Sequence, residues 1–285
     1  MMMQGKVCLV TGANTGIGKT TAMALAEKGA TVLMVCRNKL KGEKARKEII
    51  RLSGSDRVHL HMADLASFAS VKKMADEVLA TQTKLDVLIN NAAAFYTTHA
   101  LTEDGIERQF QVNHLSGFLL THLLFPILQA PPSARIINVS STGNYKGDIH
   151  FDDLNLSRSY TGLKAYRQSK LANVLFTYEL ARKLKGTKIT VNTLHPGVVG
   201  TQIGFANNRG LAALVWWAGR PFMINSVKGA ETTVYLATSQ EVEGISGKYF
   251  EKCKAKKSAE KSYDVNLAAN LWEISCKLCG IKKGI

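Results

Sequence analysis

Apolar positions along the chain fall into two alternating patterns. A continuous apolar run stands at 7–10 and a nearly unbroken one at 31–36, and further strands are predicted at 86–89, 135–139 and 189–194. Such runs predict strands buried on both faces of a parallel sheet. Between them, apolar residues recur at helical spacing over 19–28, 41–52, 67–80 and 105–120, and again from Tyr166 through Leu171, Val174, Leu175, Tyr178 and Leu180. A further strand is predicted at 58–61, and 189–194 reads as the last core strand. Regular strand and helix alternation predicts an α/β fold.

The length of 285 residues accommodates one large α/β domain over 1–285, and with only 5 prolines, no low-complexity linker and no repeat, nothing divides it. The formal net charge is +15, part of it clustered at Lys39 to Lys47, at Arg182, Lys183 and Lys185, and at Lys252 to Lys261. Such a surplus attracts anions, whether a nucleotide phosphate, an acidic lipid headgroup or nucleic acid, or simply solvates helix faces. No aromatic-rich nucleic-acid motif accompanies it, so no nucleic-acid partner is expected. Five scattered cysteines, Cys8, Cys36, Cys253, Cys276 and Cys279, fit a reducing compartment. Cys276-x-x-Cys279 has no second pair or nearby histidine, and His59 with His61 has no third ligand, so no metal site is expected. The N-terminus goes almost at once into a predicted strand, so neither a signal peptide nor a membrane anchor is expected, and the apolar interval 210–224 is broken by Arg220 and Pro221. A cytoplasmic location is the expectation.

Chemistry enters after the first predicted strand. Thr11-Gly12-Ala13-Asn14-Thr15-Gly16-Ile17-Gly18 makes a glycine-rich turn between strand and helix. Glycines let backbone approach a pyrophosphate, and a helix N-terminus offers N–H donors, so Gly12, Asn14, Thr15, Gly16, Ile17 and Gly18 are candidate cofactor contacts. Arg37 follows the second strand with no acid at Val35, Cys36 or Asn38. A basic residue there accepts a 2′-phosphate, so NADP(H) is expected over NAD(H), with Lys41 as a second contact; the alternative is a plain loop charge. Asp64 and Leu65 follow the third strand on the adenine side, and Asn90-Asn91-Ala92-Ala93 ends the fourth, either to admit a ribose or simply to turn.

Asn113 interrupts an apolar helical face, as a satisfied polar residue or at a local kink that holds a water. Ser140 and Ser141 end the fifth strand. Tyr166 and Lys170 lie four apart, on one helix face at the head of the pattern. A cation beside the phenol is expected to lower its pKa and suit it to general acid or base work at a carbonyl or alcohol.

These ordered motifs, with Pro196-Gly197, resemble the short-chain dehydrogenase/reductase family over essentially the whole chain. Asn138-Val139-Ser140-Ser141, Ser169-Lys170-Leu171-Ala172-Asn173 and His195-Pro196-Gly197-Val198-Val199 resemble its retinol dehydrogenase branch. The resemblance implies a single doubly wound Rossmann domain with a mostly or wholly parallel sheet. It implies that Ser141 holds the substrate oxygen, Tyr166 donates its proton, Lys170 binds the nicotinamide ribose and Asn113 positions a relay water. Asn91 and Ala92 would line the cofactor, and Val199 and Thr201 would border the nicotinamide. A substrate lid is expected over about 201–228, and a helical extension over about 258–280. The apolar lid, with Trp216 and Trp217, implies a lipophilic aldehyde, ketone or alcohol, a retinoid among them; a core or dimer helix and a peripheral membrane contact stay open for it, as does a homo-oligomer. The 148–159 segment, with Phe151 and Leu154, is expected to form the opposite wall.

Two departures stand out. Ala93 replaces a usual glycine, and its methyl could crowd the cofactor site. Membrane-anchored retinol enzymes carry an apolar N-terminal segment, and no counterpart to it is expected here. A catalytically weak nucleotide-binding regulatory or scaffold protein of the same fold is the alternative reading.

Overall fold

The structure is a computed structural model that describes residues 2–197, 225–282 and 285. Five strands lead the architecture: β1 (Val7–Thr11), β2 (Thr31–Cys36), β3 (Val58–Met62), β4 (Val87–Asn90) and β5 (Ala134–Val139). They continue into β6 (Ile189–His195), β7 (Tyr249–Glu251) and β8 (Lys254–Lys256). Together they form an eight-stranded sheet in the order β3-β2-β1-β4-β5-β6-β7-β8. All pairings are parallel except β7 with β8. The sheet is thus mostly parallel, and two strands follow the one expected to be last. Three-residue strands carry too little periodicity to be seen in sequence, and the exposed Lys254 and Lys256 mark β8 as a guarded sheet edge.

Burial on both faces accounts for the unbroken apolar runs. Val7 and Leu9 of β1 join one core and Cys8 and Val10 the other, just as Leu33 and Val35 of β2 oppose Val32 and Met34. One face is covered by α1 (Gly16–Glu27), α2 (Lys39–Ser53) and α8 (Ser226–Thr238). The other carries α3 (Phe68–Thr81), α5 (Ser116–Leu123), α7 (Gly162–Lys183) and α9 (Val265–Cys279). Strand order reverses between β1 and β4, which opens a crevice at their carboxyl ends.

A short helix α4 (Arg108–Phe110) runs through a π-helical turn, Gln111–Leu115, into α5. Asn113 sits in that turn, so the interrupted periodicity there reflects a real change in helix geometry. Another turn, α6 (Phe125–Leu128), carries Pro126 at its start. Helix α7 begins at Gly162, a turn before Tyr166. An ideal Cβ on Gly162 would lie 2.2 Å from the Tyr96 carbonyl oxygen, so only glycine lets the helix start against that loop. Similarly, α1 starts at Gly16 rather than at 19, because the glycine turn feeds straight into it.

Candidate active site

Thr11 ends β1 at the crevice and holds the β4 terminus: the N–H groups of Asn91 and Ala92 each donate to its Oγ1 at 3.0 Å, and Asn91 Nδ2 donates to its carbonyl at 2.8 Å. The glycines that follow are needed for space as well as for conformation. Gly12 and Gly16 have φ of +67° and +52°. A Cβ on Gly12 would lie 3.1 Å from Ala92 Cα, and one on Gly18 only 2.3 Å from the Gly12 carbonyl oxygen. Thr15, at the N-cap of α1, makes no side-chain cap, and no acid occupies the first turn. Backbone N–H groups and the positive helix end therefore face the turn without a protein anion, the donor set a pyrophosphate requires. The residues present fit a dinucleotide.

Arg37 is exposed at the end of β2, while Asn38 caps α2 by accepting from Lys41 N at 2.9 Å. Asp64 stabilises its own turn, its Oδ1 accepting from Ala66 N at 3.0 Å, and the Leu65 carbonyl accepts from Ser116 Oγ at 2.5 Å. Leu65, Thr11, Ala92 and Asn113 line one small cavity between β1, β4 and the π turn. Among the described residues the positive-φ non-glycines are Leu156, Lys252 and Cys253, so Ala93 occupies backbone open to any residue. Backbone conformation therefore does not require glycine at that position.

Asn113 ties the loop after β4 to α7. Its Oδ1 accepts from Ala94 N at 2.7 Å, and its Nδ2 donates to Ala94 O and Ser169 Oγ, each at 3.0 Å. Next along α7, Lys170 is 1% exposed. Its Nζ donates to the Val139 carbonyl at 3.0 Å, and Ser140 Oγ donates to the Lys170 carbonyl at 2.7 Å, so β5 grips the residue at both ends. Burial pulls the Lys170 ammonium down to about 7. Ser141 caps the turn beyond β5, accepting from Gly143 N at 3.2 Å, and hydrogen-bonds the Tyr166 hydroxyl. Asn113, Ser141, Tyr166 and Lys170 thus converge from three segments, the π turn, the end of β5 and helix α7.

The tyrosine differs from expectation. Burial raises the Tyr166 phenol above its ordinary value, and the Ser141 hydrogen bond opposes this only in part. Lys170 Nζ lies 5.6 Å from the phenol ring centroid with a proton committed to Val139, so desolvation outweighs the cation. Tyr166 is a group that keeps its proton near neutrality.

Several site residues escaped the sequence reading. Phe95 meets the Tyr166 ring edge to face at a centroid distance of 5.8 Å. Gly143 leaves room for the same ring, since a Cβ there would lie 3.3 Å from Tyr166 Cε1. An aromatic just past a small-residue strand end and a glycine just past the serines are the faint signals that pointed to them. Phe151 and Leu154, expected in the substrate wall, line instead a cavity of about 450 Å³ with Asp104, Phe110 and Leu278 that holds none of the four converging residues. Val199, Thr201 and the expected lid up to residue 224, with Trp216 and Trp217, lie outside the described residues, and its last residues, 226–228, open α8. Described residues contain no group of three or more His, Cys, Asp or Glu able to hold a metal, and no helix long and apolar enough to cross a membrane.

Residues 6–211 match the sequence model of the family described as short chain dehydrogenase. Retinol dehydrogenase 14 of Homo sapiens is 44% identical over 300 residues, covering 99% of this chain and 88% of that protein. Retinol dehydrogenase 12 of Mus musculus is 42% identical over 282 residues, covering 99% and 89%. The crystal structure of an uncharacterized protein from Mycobacterium paratuberculosis superposes with a TM-score of 0.79 at 33% identity, covering 97% of this chain and 94% of that one.

Proposed function

The chain belongs to the short-chain dehydrogenase family, and from that premise we propose an NADP(H)-dependent oxidoreductase acting on a lipophilic aldehyde or ketone, or the matching alcohol, with retinoids the leading substrate class. The observation that carries it is the convergence of the Ser141 hydroxyl, the Tyr166 phenol and the buried Lys170, joined to the glycine turn through Ala92, Ala94 and Asn113. Retinol dehydrogenase relatives support the substrate class. Exposed Arg37, with no acid beside it, supports the 2′-phosphate and hence NADP(H).

Gly12, Asn14, Thr15, Gly16, Ile17 and Gly18 would hold the pyrophosphate, Asp64 and Leu65 the adenine side, Asn91 and Ala92 the ribose, and Val199 and Thr201 the nicotinamide side. Bound nicotinamide supplies or accepts the hydride. Tyr166, kept protonated by burial, donates a proton to the carbonyl oxygen, while the Ser141 hydroxyl orients that oxygen. One ammonium proton of Lys170 goes to Val139, and two remain for the ribose hydroxyls. Asn113 fixes the π turn against Ala94 and Ser169. The lid over about 201–228, including Trp216 and Trp217, would close over the apolar substrate. The intact Ser141, Tyr166 and Lys170 argue against a non-catalytic scaffold.

The test is NADPH and NADH consumption with retinal, long-chain aldehydes, steroids and quinones, repeated with Tyr166→Phe. NADPH is expected to be preferred, and the variant to lose about a hundredfold or more in rate with NADPH affinity kept. A variant as fast as the parent would overturn the proton-donor role.

A further inference from the structure

We propose that Asn173 and His114 are positioning residues for Lys170: they lock the carbonyl that anchors its side chain and tie it to the C-terminal helix α9. The inference rests on the proposed oxidoreductase reading, and begins from the π turn. Widening a helix by one residue leaves a carbonyl outside the regular ladder, and a buried unpaired carbonyl is costly. Asn173 Nδ2 donates to the Asn113 carbonyl at 2.9 Å, within that turn. It also reaches the Val139 carbonyl at 3.4 Å, the acceptor that Lys170 Nζ uses at 3.0 Å. One carboxamide therefore bridges the π turn and the lysine's anchor.

The amide's orientation is set from behind. Asn173 Oδ1 faces His114 Nδ1 at 3.3 Å, and His114 Nε2 meets Ser275 Oγ on α9 at 3.2 Å. Phe110, Phe118 and Phe176 surround the imidazole, whose burial lowers it to about 4 and keeps it neutral. A neutral ring has one donor and one acceptor. Nδ1–H donates to Asn173 Oδ1, and Nε2 accepts from the Ser275 hydroxyl. With Oδ1 so engaged, Nδ2 must face the two carbonyls. Thr177 Oγ1 steadies the same turn of α7 by donating to the Asn173 carbonyl at 2.8 Å. The titratable neighbours of Lys170 are Tyr166 on its own helix and His195 on β6. Neither hydrogen-bonds Asn173 among the described residues, so the chain His114–Asn173–Val139 acts on the lysine without passing through them.

Asn173→Leu and His114→Phe are compared with the parent by steady-state kinetics on its best carbonyl probe, by the pH profile of kcat, and by calorimetric titration with NADPH. Asn173→Leu is expected to lower kcat about tenfold with KM within about twofold, to displace the limb of the pH profile, and to weaken NADPH binding about fivefold. His114→Phe moves the same readouts in the same direction by less. A lower melting temperature with kcat, pH profile and NADPH affinity all unchanged means a merely structural role and overturns the proposal. Should Asn173→Leu not fold, His114→Phe decides on the same readouts. A parent that turns over no carbonyl probe overturns the oxidoreductase reading instead, and the NADPH affinities then decide the positioning role alone.

Discussion

Adding one methyl at Gly18 is expected to disable the cofactor cradle, and the same methyl at Gly42 to do nothing of the kind. Each glycine lies in a helix, and at each an ideal Cβ falls inside 3.0 Å of a neighbour. At Gly18 the neighbours are the Gly12 carbonyl oxygen at 2.3 Å and Asn91 Nδ2 at 2.5 Å. Non-bonded atoms settle at about 3.5 Å, so the overlap is roughly 1 Å. Neither neighbour can yield cheaply. Gly12 N is bonded to Val35 O at 2.9 Å, and Asn91 Nδ2 to Thr11 O at 2.8 Å. Helix α1 must therefore move off the turn, at about 1–3 kcal/mol of overpacking, which displaces its N-terminus from the pyrophosphate. At Gly42 the neighbours are the two methyl ends of Leu60, each at 2.9 Å, on the edge strand β3, where a rotamer change relieves the clash. Helix propensity adds about 1 kcal/mol in favour of alanine. Calorimetric NADPH titration with urea unfolding separates the two: Gly18→Ala should bind at least about tenfold more weakly and unfold earlier, and Gly42→Ala should match the parent in both within about 1 kcal/mol. Equal behaviour of the two variants, or parental NADPH affinity in Gly18→Ala, would refute the steric reasoning.

Other outcomes follow from single contacts. Folded His114 titrates at about 4 against an ordinary 6.5, so the unfolded chain binds more protons between those values and stability falls as pH drops through that window. The loss from this group is about 3 kcal/mol; urea melts from pH 7 to 4.5 should show a shallower fall in His114→Gln, and parallel curves would contradict the assignment. Gly143→Ala puts a Cβ 3.3 Å from the Tyr166 ring, and a ring displaced by a few tenths of an ångström should cost roughly threefold to tenfold in kcat with little change in melting temperature. Unchanged kcat there would mean that the ring position is not limiting. Arg37→Asp should move the ratio of kcat/KM toward NADH, and an unaltered ratio would remove Arg37 from cofactor choice.

Much of the scaffold was legible because a strand buried on both faces must be apolar at every position. The runs that became β1 and β2 could hardly be read otherwise, and the polar break at Asn113 marked the π turn. Less visible were β7 and β8, whose three residues each are paired only because β6 offers them an edge. The start of α7 at Gly162 was hidden too, since it depends on the Tyr96 backbone far away in the chain. Within the site, helix spacing alone paired Tyr166 with Lys170, and only the resemblance of the ordered motifs to the short-chain dehydrogenase/reductase family joined Asn113 and Ser141 to them. Their protonation was decided by tertiary structure. Lys170 is held near 7 and Tyr166 is raised through loss of solvent, and Phe95, Gly143, Asn173 and His114 surround them from segments the sequence keeps apart. Local pattern records the period of an element, whereas proton affinity depends on how much water the surrounding elements exclude, which no stretch of sequence carries by itself.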